Sequence, residues 1–263
     1  MTRVLSGAVL IALAVAVVWF ATGYVFFAVA LTLLILGVNE LIVLARASAL
    51  EVAAFPSAIA AALAMTVVSL PDVSGRTLEV VFMAALLGLG MVTLGAWRGG
   101  PNALGSMAAS LFPAVYLGLP IGALVAVRRL GGPQALFLLM LTIIVSDSMQ
   151  YYTGRLFGRR PLAPVVSPKK TVEGAIGGFV FGTAAFAIIG RWWLPQIPAG
   201  LRAGLGVTIV ALGIAGDLFE SMLKRSANVK DSSSLIPGHG GILDRIDALL
   251  FAAPVYYIVL RYV

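Results

Sequence analysis

The stretch LRAGLGVTIVALGIAGDLFESM, residues 201–222, is a long apolar run that carries two acidic side chains near its end. A helix of about 20 residues spans the roughly 30 Å hydrocarbon core of a bilayer. Apolar runs of similar length recur along the chain, without the alternation of the roughly ten-residue strands in an outer-membrane barrel. The sequence therefore predicts an all-α fold, a polytopic integral membrane helical bundle.

The composition agrees with this class. Of the 263 residues, 60% are hydrophobic and 11% are charged, which does not describe the surface of a soluble domain. The chain has no cysteine, which excludes disulfides and thiolate metal sites, and its one histidine disfavours zinc chemistry. We interpret the net charge of +7 as a record of orientation and of contact with anionic lipid headgroups, not as a sign of nucleic-acid binding.

We predict about nine membrane crossings. The first is expected to be a retained helix and not a signal peptide, because the next apolar run begins almost at once at Gly23. The segment FPAVYLGLP, residues 112–120, is a candidate interruption of the fifth crossing. The predicted spans are 4–20, 23–39, 52–70, 78–97, 104–127, 134–152, 172–190, 201–222 and 246–262.

Positive charge predicts the orientation of the bundle. With a cytoplasmic N-terminus, twelve Lys and Arg residues lie on the cytoplasmic side and six on the other, as the positive-inside rule favours. The two long polar loops, 153–171 and 223–245, then both face the cytoplasm. Seven of the eleven acidic residues follow residue 146. We therefore interpret 1–133 as an N-terminal transmembrane scaffold and 134–263 as the catalytic transmembrane region.

Asp217 lies inside an apolar run, where a carboxylate costs about 3 kcal/mol unless a cation, water or another partner compensates it. On a helix, Glu220, Ser221 and Lys224 follow it on one stripe that leads toward the cytoplasmic end. A salt bridge that reaches water at the helix end is the purely structural alternative.

The turn PGHGG, residues 237–241, precedes a predicted helix start. Gly238, Gly240 and Gly241 allow close approach of backbone N–H groups to an anion, and the helix N-terminus adds its positive dipole end. The Lys-Ser/Thr ending of a Walker motif is absent. The turn thus predicts a phosphate cradle, with an ordinary turn before a helix as the alternative.

Asp244 and Asp247 are three residues apart in the first turn of that helix, so they face the same way. Together with Asp217 they predict an all-oxygen site of the kind that suits Mg²⁺. Favourable charge at a helix N-terminus is the alternative. The candidate cations for several phosphates are Lys224, Arg225, Lys230 and Arg245.

A second polar segment, residues 146–178, is predicted on the same face. Thr171 is the expected N-cap of the next helix, and we interpret Gly177 and Gly178 as packing residues. The run SPKK, residues 167–170, is a candidate to present hydroxyl and ammonium groups to a nucleotide.

Residues 221–247, SMLKRSANVKDSSSLIPGHGGILDRID, resemble the signature of the phosphatidate cytidylyltransferases, also called CDP-diacylglycerol synthases. The shared features are the Ser-x-x-Lys-Arg start, the Lys-Asp pair, the Pro-x-His-Gly-Gly turn and the Asp-Arg-x-Asp end. The upstream runs GRLFGRRPLAP and SPKKTVEGAIGG are also similar to that family, so the specific resemblance covers about 146–247. The first half matches in hydropathy only, and residues 148–150 depart from the small residues expected there.

The resemblance implies transfer of the cytidylyl group of CTP to phosphatidate in the bilayer, giving CDP-diacylglycerol and pyrophosphate in phospholipid biosynthesis. It also implies Mg²⁺, a homodimer among membrane lipids, and a site that faces the cytoplasm at the bacterial inner membrane. The implied metal ligands and catalytic acids are Asp217, Asp244 and Asp247, with Lys224 as a further catalytic residue. The implied nucleotide ligands are Arg225, Lys230, His239 and Arg245, with Ser167, Lys170, Glu173 and Asp231 in second rank.

Two alternatives stay open. A related CTP-dependent lipid kinase, or another nucleotidyltransferase, would use the same metal chemistry. A secondary transporter would use Asp217 as an ion-coupling carboxylate and the glycines as a helix break. The concentration of polar residues on one face, instead of near the bilayer midplane, argues against the transporter.

Overall fold

The structure is a computed structural model that describes residues 2–71, 75–99, 102–233, 235 and 240–263. Strands β1 (Pro161–Ala163) and β2 (Ser167–Thr171) form an antiparallel hairpin, and a π-helical turn covers Ala114–Gly118. The α-helices are α1 (Thr2–Phe20), α2 (Gly23–Ala47), α3 (Ala54–Ser69), α4 (Gly75–Ala96), α5 (Ala103–Pro113), α6 (Leu119–Phe157), α7 (Val172–Trp193), α8 (Ala199–Ser226) and α9 (Leu243–Tyr262).

The length and composition of the helices agree with an integral membrane protein. Among the described residues, five helical segments are long and apolar enough to cross a membrane: Gly23–Ala47, Arg76–Ala96, Ala103–Phe157, Val172–Trp193 and Ala199–Ser226. Ile11–Phe20 and Ala54–Ser69 are shorter apolar helices. The all-α class therefore holds, apart from the hairpin, which was not predicted, and the number of nine crossings stays a prediction.

The predicted interruption of the fifth crossing is confirmed as the π-helical turn between α5 and α6. Gly118 at the end of this turn and Gly122 near the start of α6 allow α3 to approach closely. A Cβ atom on Gly118 would lie 2.6 Å from the carbonyl oxygen of Ala61, and one on Gly122 would lie 2.7 Å from that of Met65. Such turns are frequent at functional sites, and this one places Tyr116 in the interior.

Helix α6 contains a kink between the predicted fifth and sixth crossings. Gly132 takes a φ of 71° and a ψ of −175°, which a residue with a Cβ rarely adopts, and Pro133 follows it. The 39 residues of α6 therefore comprise two helical parts. The second part extends to Phe157, beyond the predicted end of the sixth crossing at residue 152.

Helix α7 packs on the second part of α6 through its glycines. A Cβ atom on Gly177 would lie 1.9 Å from Thr153 Oγ1, and one on Gly178 would lie 2.5 Å from Gln150 Cγ. This confirms their interpretation as packing residues. The predicted N-cap is also confirmed, because Thr171 Oγ1 accepts a hydrogen bond from the Gly174 N–H at 3.1 Å.

Two buried apolar clusters join the helices. One includes Val127, Phe186 and Tyr256, and the other includes Leu34 and Leu243. Each cluster contains residues from both sides of position 133. The two parts of the chain thus share their buried clusters, and the division into scaffold and catalytic region stays a prediction.

Candidate active site

The candidate site lies where the second half of α8 meets the first turn of α9. Gly216 allows the two backbones to approach closely, because a Cβ atom on it would lie 2.5 Å from the backbone oxygen of Asp247. Asp217 is the next residue of α8. Two of the predicted catalytic acids are thus on adjoining turns of neighbouring helices.

Lys224 stands at the centre of a buried ion-pair group. Its Nζ atom contacts Asp244 Oδ1 and lies 2.5 Å from Glu220 Oε2. The exposed fractions of the Lys224, Asp244 and Glu220 side chains are 10%, 8% and 1%, so these charges are largely removed from water. Two carboxylates face one ammonium here, which gives the group a net charge of −1 when all three are ionised.

The loop that precedes α9 also holds the carboxylate of Asp244. Its Oδ2 atom accepts hydrogen bonds from the Gly241 N–H at 2.8 Å, the Ser232 N–H at 3.0 Å and the Ser232 hydroxyl at 2.8 Å. Burial opposes ionisation, but the Lys224 ammonium and these donors outweigh it and hold the pKa of Asp244 below its ordinary value. Asp244 is therefore a fixed anion at neutral pH.

The glycines of the turn fit around this carboxylate. Gly240 has a φ of 75°, and a Cβ atom on it would lie 2.6 Å from Asp244 Oδ2. The Gly241 N–H donates to the same oxygen. The phosphate cradle stays a prediction, and the structure shows that one of its amides is already used by Asp244. The predicted residues Gly238 and His239 lie outside the described residues.

The cation that pairs with Asp217 comes from the hairpin. Lys170, on β2, contacts Asp217 Oδ2 through its Nζ atom. The exposed fractions of the two side chains are 23% and 29%, so this pair lies at the edge of the site, nearer to water than the Lys224 group. The structure thus brings Lys170 to the predicted site residue Asp217, which the spacing along α8 alone did not indicate.

Two further carboxylates lie near the Lys170–Asp217 pair. Asp147 of α6 and Asp247 of α9 lie within electrostatic range of Asp217, of Lys170 and of each other. Asp147 Oδ1 accepts a hydrogen bond from Gln150 Nε2 at 2.9 Å, and Asp247 Oδ1 accepts one from the Ala248 N–H at 2.8 Å. Three acids from three helices therefore meet around one lysine.

The donor chemistry of these acids suits Mg²⁺, which prefers carboxylate and water oxygens. In the part of the chain that the structure describes, no group of three or more acidic or histidine side chains has the close arrangement of a formed metal site. Asp217 is paired with Lys170, and Asp244 with Lys224. The metal set of Asp217, Asp244 and Asp247 stays a prediction, and Asp147 joins it as a neighbouring oxygen donor.

Sequence reasoning missed Glu40, on α2, which it placed in the scaffold. The Glu40 side chain is buried, and both of its oxygens accept hydrogen bonds from the loop before α9 and from the start of α9. A signal for it was present. A carboxylate within an apolar run requires a partner, which is the same argument that singled out Asp217.

Tyr116 and Glu220 are further interior polar groups beside the site. Among the described residues, the Tyr116 hydroxyl has no hydrogen-bond partner, and the Glu220 carboxylate has the 2.5 Å ion pair with Lys224 but no further donor. Tyr116 lies within electrostatic range of Glu220 and Asp247. Its place in the predicted helix interruption was the only sequence signal.

A family model described as the cytidylyltransferase family matches residues 1–263. The chain belongs to the cytidylyltransferase family. Among its curated relatives, the phosphatidate cytidylyltransferase of Aquifex aeolicus is 38% identical over 159 residues, covering 60% of this chain and 58% of the relative. That of Thermotoga maritima is 44% identical over 139 residues, covering 51% of this chain and 51% of the relative. That of Haemophilus influenzae is 47% identical over 131 residues, covering 47% of this chain and 45% of the relative. The family confirms the resemblance, and each alignment spans about half of the relative's length.

The other predicted residues of this cytidylyltransferase-family chain lie around the rim. Glu173 accepts hydrogen bonds from the backbone N–H groups of Arg159 at 3.0 Å and Arg160 at 3.2 Å, so it fixes the turn before β1. Arg225 donates to the carbonyl oxygens of Val166 at 3.5 Å and Val229 at 3.3 Å. Ser167 is half-buried at the start of β2, and Arg225, Lys230, Asp231 and Arg245 are exposed. Their contacts with a nucleotide stay predictions.

Proposed function

We propose that this chain transfers the cytidylyl group of CTP to phosphatidate, giving CDP-diacylglycerol and pyrophosphate. The observation that carries the proposal is the convergence of the family signature at one end of the bundle. There, α8, α9 and the hairpin place acids and lysines in two adjoining ion-pair groups. The family match over the whole chain and the activity for which its relatives are named support the same reaction.

The reaction is a displacement at phosphorus. A phosphate monoester has a second pKa of about 6, so phosphatidate already presents an anionic oxygen at neutral pH and needs no strong general base. That oxygen forms a bond to the α-phosphorus of CTP while the bond from the α-phosphorus to the bridging oxygen of the β-phosphate breaks. The bridging oxygen leaves with the pyrophosphate. The protein must hold two polyanions in line and neutralise their charge.

The cations of the site suit this task. Lys224 is held in the buried group and Lys170 at the edge of the site, and Arg225, Lys230 and Arg245 are exposed to the water from which a triphosphate arrives. We assign these side chains to the phosphates of CTP. The cytidylyl acceptor stays in the bilayer, with its acyl chains between helices and its headgroup at the site.

Mg²⁺, when bound, neutralises charge on the α-phosphate and on the departing pyrophosphate. We assign its protein ligands to Asp217, Asp244 and Asp247, with Asp147 beside them. The support for this assignment is the excess of carboxylate oxygens over cations in the two groups. The ammonium of Lys170 shares the region with three acids, and that of Lys224 with two.

We place the site at the cytoplasmic face of the bacterial inner membrane, in a homodimer. The orientation follows from the distribution of positive charge, and the membrane from the apolar helices and the bacterial sources of the relatives. The homodimer comes from the family resemblance.

The test is an assay of the purified chain with phosphatidate, Mg²⁺ and CTP that is labelled on either its α-phosphate or its γ-phosphate. We expect the α-label to enter the lipid and the γ-label to leave with pyrophosphate. Asp244→Asn should lose the α-label transfer, and the control Glu51→Gln, at an exposed position between α2 and α3, should keep it. Entry of the γ-label into the lipid would identify a lipid kinase, and no transfer of either label would reject the proposal.

A further inference from the structure

We propose that Glu40 is a positioning residue of the active site. Its carboxylate holds the loop and the helix start that present Asp244 to Lys224. This inference rests on the proposed function, because its consequence for turnover concerns the binding of CTP. It gives the first half of the chain a role in the active site, in addition to its support of the helix bundle.

The hydrogen bonds of Glu40 all run to a segment about 200 positions later. Oε1 accepts from the Ser233 hydroxyl at 2.7 Å and from the Ile242 N–H at 2.9 Å. Oε2 accepts from the Ser232 hydroxyl at 2.8 Å and from the Leu243 N–H at 2.9 Å. A carboxylate has about four acceptor positions, so one side chain satisfies two hydroxyls and two amides at the start of α9.

The loop is shaped closely around this carboxylate. A Cβ atom on Gly241 would lie 2.4 Å and 2.5 Å from the two Glu40 oxygens and 2.1 Å from Ser232 Oγ. A Cβ atom at this position would displace the Glu40 carboxylate or the Ser232 hydroxyl. The last glycine of the predicted phosphate cradle is therefore also required by the contact between the loop and α2.

Ser232 connects Glu40 with the catalytic group. Its hydroxyl oxygen lies 2.8 Å from Glu40 Oε2 and also 2.8 Å from Asp244 Oδ2. A hydroxyl has one proton, so it donates to one of these carboxylates at a time. Asp244 in turn contacts Lys224. The resulting chain of contacts runs from α2 through the loop to α9 and α8.

No lysine or arginine of the described residues forms an ion pair with Glu40. The ion pairs of the described residues involve other acids, and the Glu40 side chain is only 6% exposed. Its compensation comes from backbone N–H groups at the N-terminus of α9, where the helix dipole favours an anion. The Glu40 carboxylate therefore holds the first amides of α9 in place, and these amides hold the carboxylate.

Glu40→Gln tests the proposal, because it keeps the shape of the side chain but replaces one acceptor oxygen with an amide donor. Two of the four donors would then face another donor. We expect KM for CTP to rise by about tenfold, as fits the loss of a hydrogen bond to a charged group, while KM for phosphatidate stays within about twofold. The matched control is Glu51→Gln, which removes an exposed carboxylate from the same half and should leave both constants unchanged.

A second measurement is independent of turnover. Hydrogen exchange of the amides of Ile242 and Leu243, in the detergent-solubilised chain without substrates, should be at least tenfold faster in Glu40→Gln than in the wild type. If Glu40→Gln cannot be isolated in folded form, Ser232→Ala is the alternative variant. It removes the hydroxyl that lies between Glu40 and Asp244, and it should also raise KM for CTP.

The outcomes separate the two proposals. A wild-type chain that makes no CDP-diacylglycerol rejects the proposed function, while the exchange rates still test the hold of Glu40 on the loop. Unchanged exchange at both amides overturns the inference. An unchanged KM for CTP with a lower amount of folded enzyme also overturns it, because a residue that only supports the fold would give that result.

Discussion

Lys224 offers the sharpest test of the ion-pair group. Lys224→Met keeps most of the side-chain volume but removes the ammonium between Glu220 and Asp244. Removal of one partner from a buried ion pair costs about 3–5 kcal/mol, because the remaining charge has no compensation. Asp244 would keep the hydrogen bonds from two backbone amides of the loop and would share the Ser232 hydroxyl with Glu40, whereas Glu220 would keep none among the described residues. The cost should therefore arise mainly at Glu220.

The free energy of unfolding is measured by adding a denaturing detergent to the protein in mixed micelles. We expect Lys224→Met to lose about 3 kcal/mol, at the lower end of the range for broken buried pairs. Lys224→Met combined with Glu220→Gln should recover most of that loss, because the second change removes the uncompensated charge. Neither protein should make CDP-diacylglycerol, since both lack the ammonium.

The control for this prediction is Lys230→Met, at an exposed position five residues after Arg225. It should change the free energy of unfolding by no more than about 0.5 kcal/mol. A Lys224→Met protein as stable as this control would refute the reasoning. It would show that water already compensates the two carboxylates, in contradiction to their 1% and 8% exposure.

Three further predictions concern the acids, the helix contact and the metal. Asp217→Asn and Asp244→Asn should each nearly abolish CDP-diacylglycerol formation without preventing folding, because another carboxylate stays near each lysine, and near-normal turnover would remove the metal-site assignment. Gly216→Ala should lower the free energy of unfolding by about 1–3 kcal/mol, because its Cβ would lie 2.5 Å from a backbone oxygen of α9, whereas Gly204→Ala, with open space, should not. Chelation of divalent ions should stop label transfer, and added Mg²⁺ should restore it; full activity with chelator present would contradict the assignment.

Several features of the fold were predictable because they depend on local chemistry. The length of the apolar runs indicates membrane helices, whatever their neighbours are. The cap at Thr171 uses an amide three residues away, and the proline and glycines of residues 112–120 are disruptive within one helix. The signature acids could be found for the same reason, since their spacing within a turn sets their common face.

The partners of those acids were not predictable from spacing. The Glu220–Lys224 pair is four residues apart on α8, as the predicted stripe allows, but the contacts of Lys224 with Asp244 and of Asp217 with Lys170 join different elements. The hairpin itself depends on pairing of two short strands, which neither strand encodes alone. Such choices depend on which helices lie side by side.

The sequence by itself determined the class of protein, its long apolar helices and the candidate polar residues of the signature, because hydropathy and capping act over a few residues. Only the tertiary structure decided which charges neutralise each other and that α2 contributes Glu40. Its contacts join positions about 200 residues apart, and no periodicity along the chain records such a distance. Burial raises the cost of an unpaired charge, so the packing of the helices selects the partner.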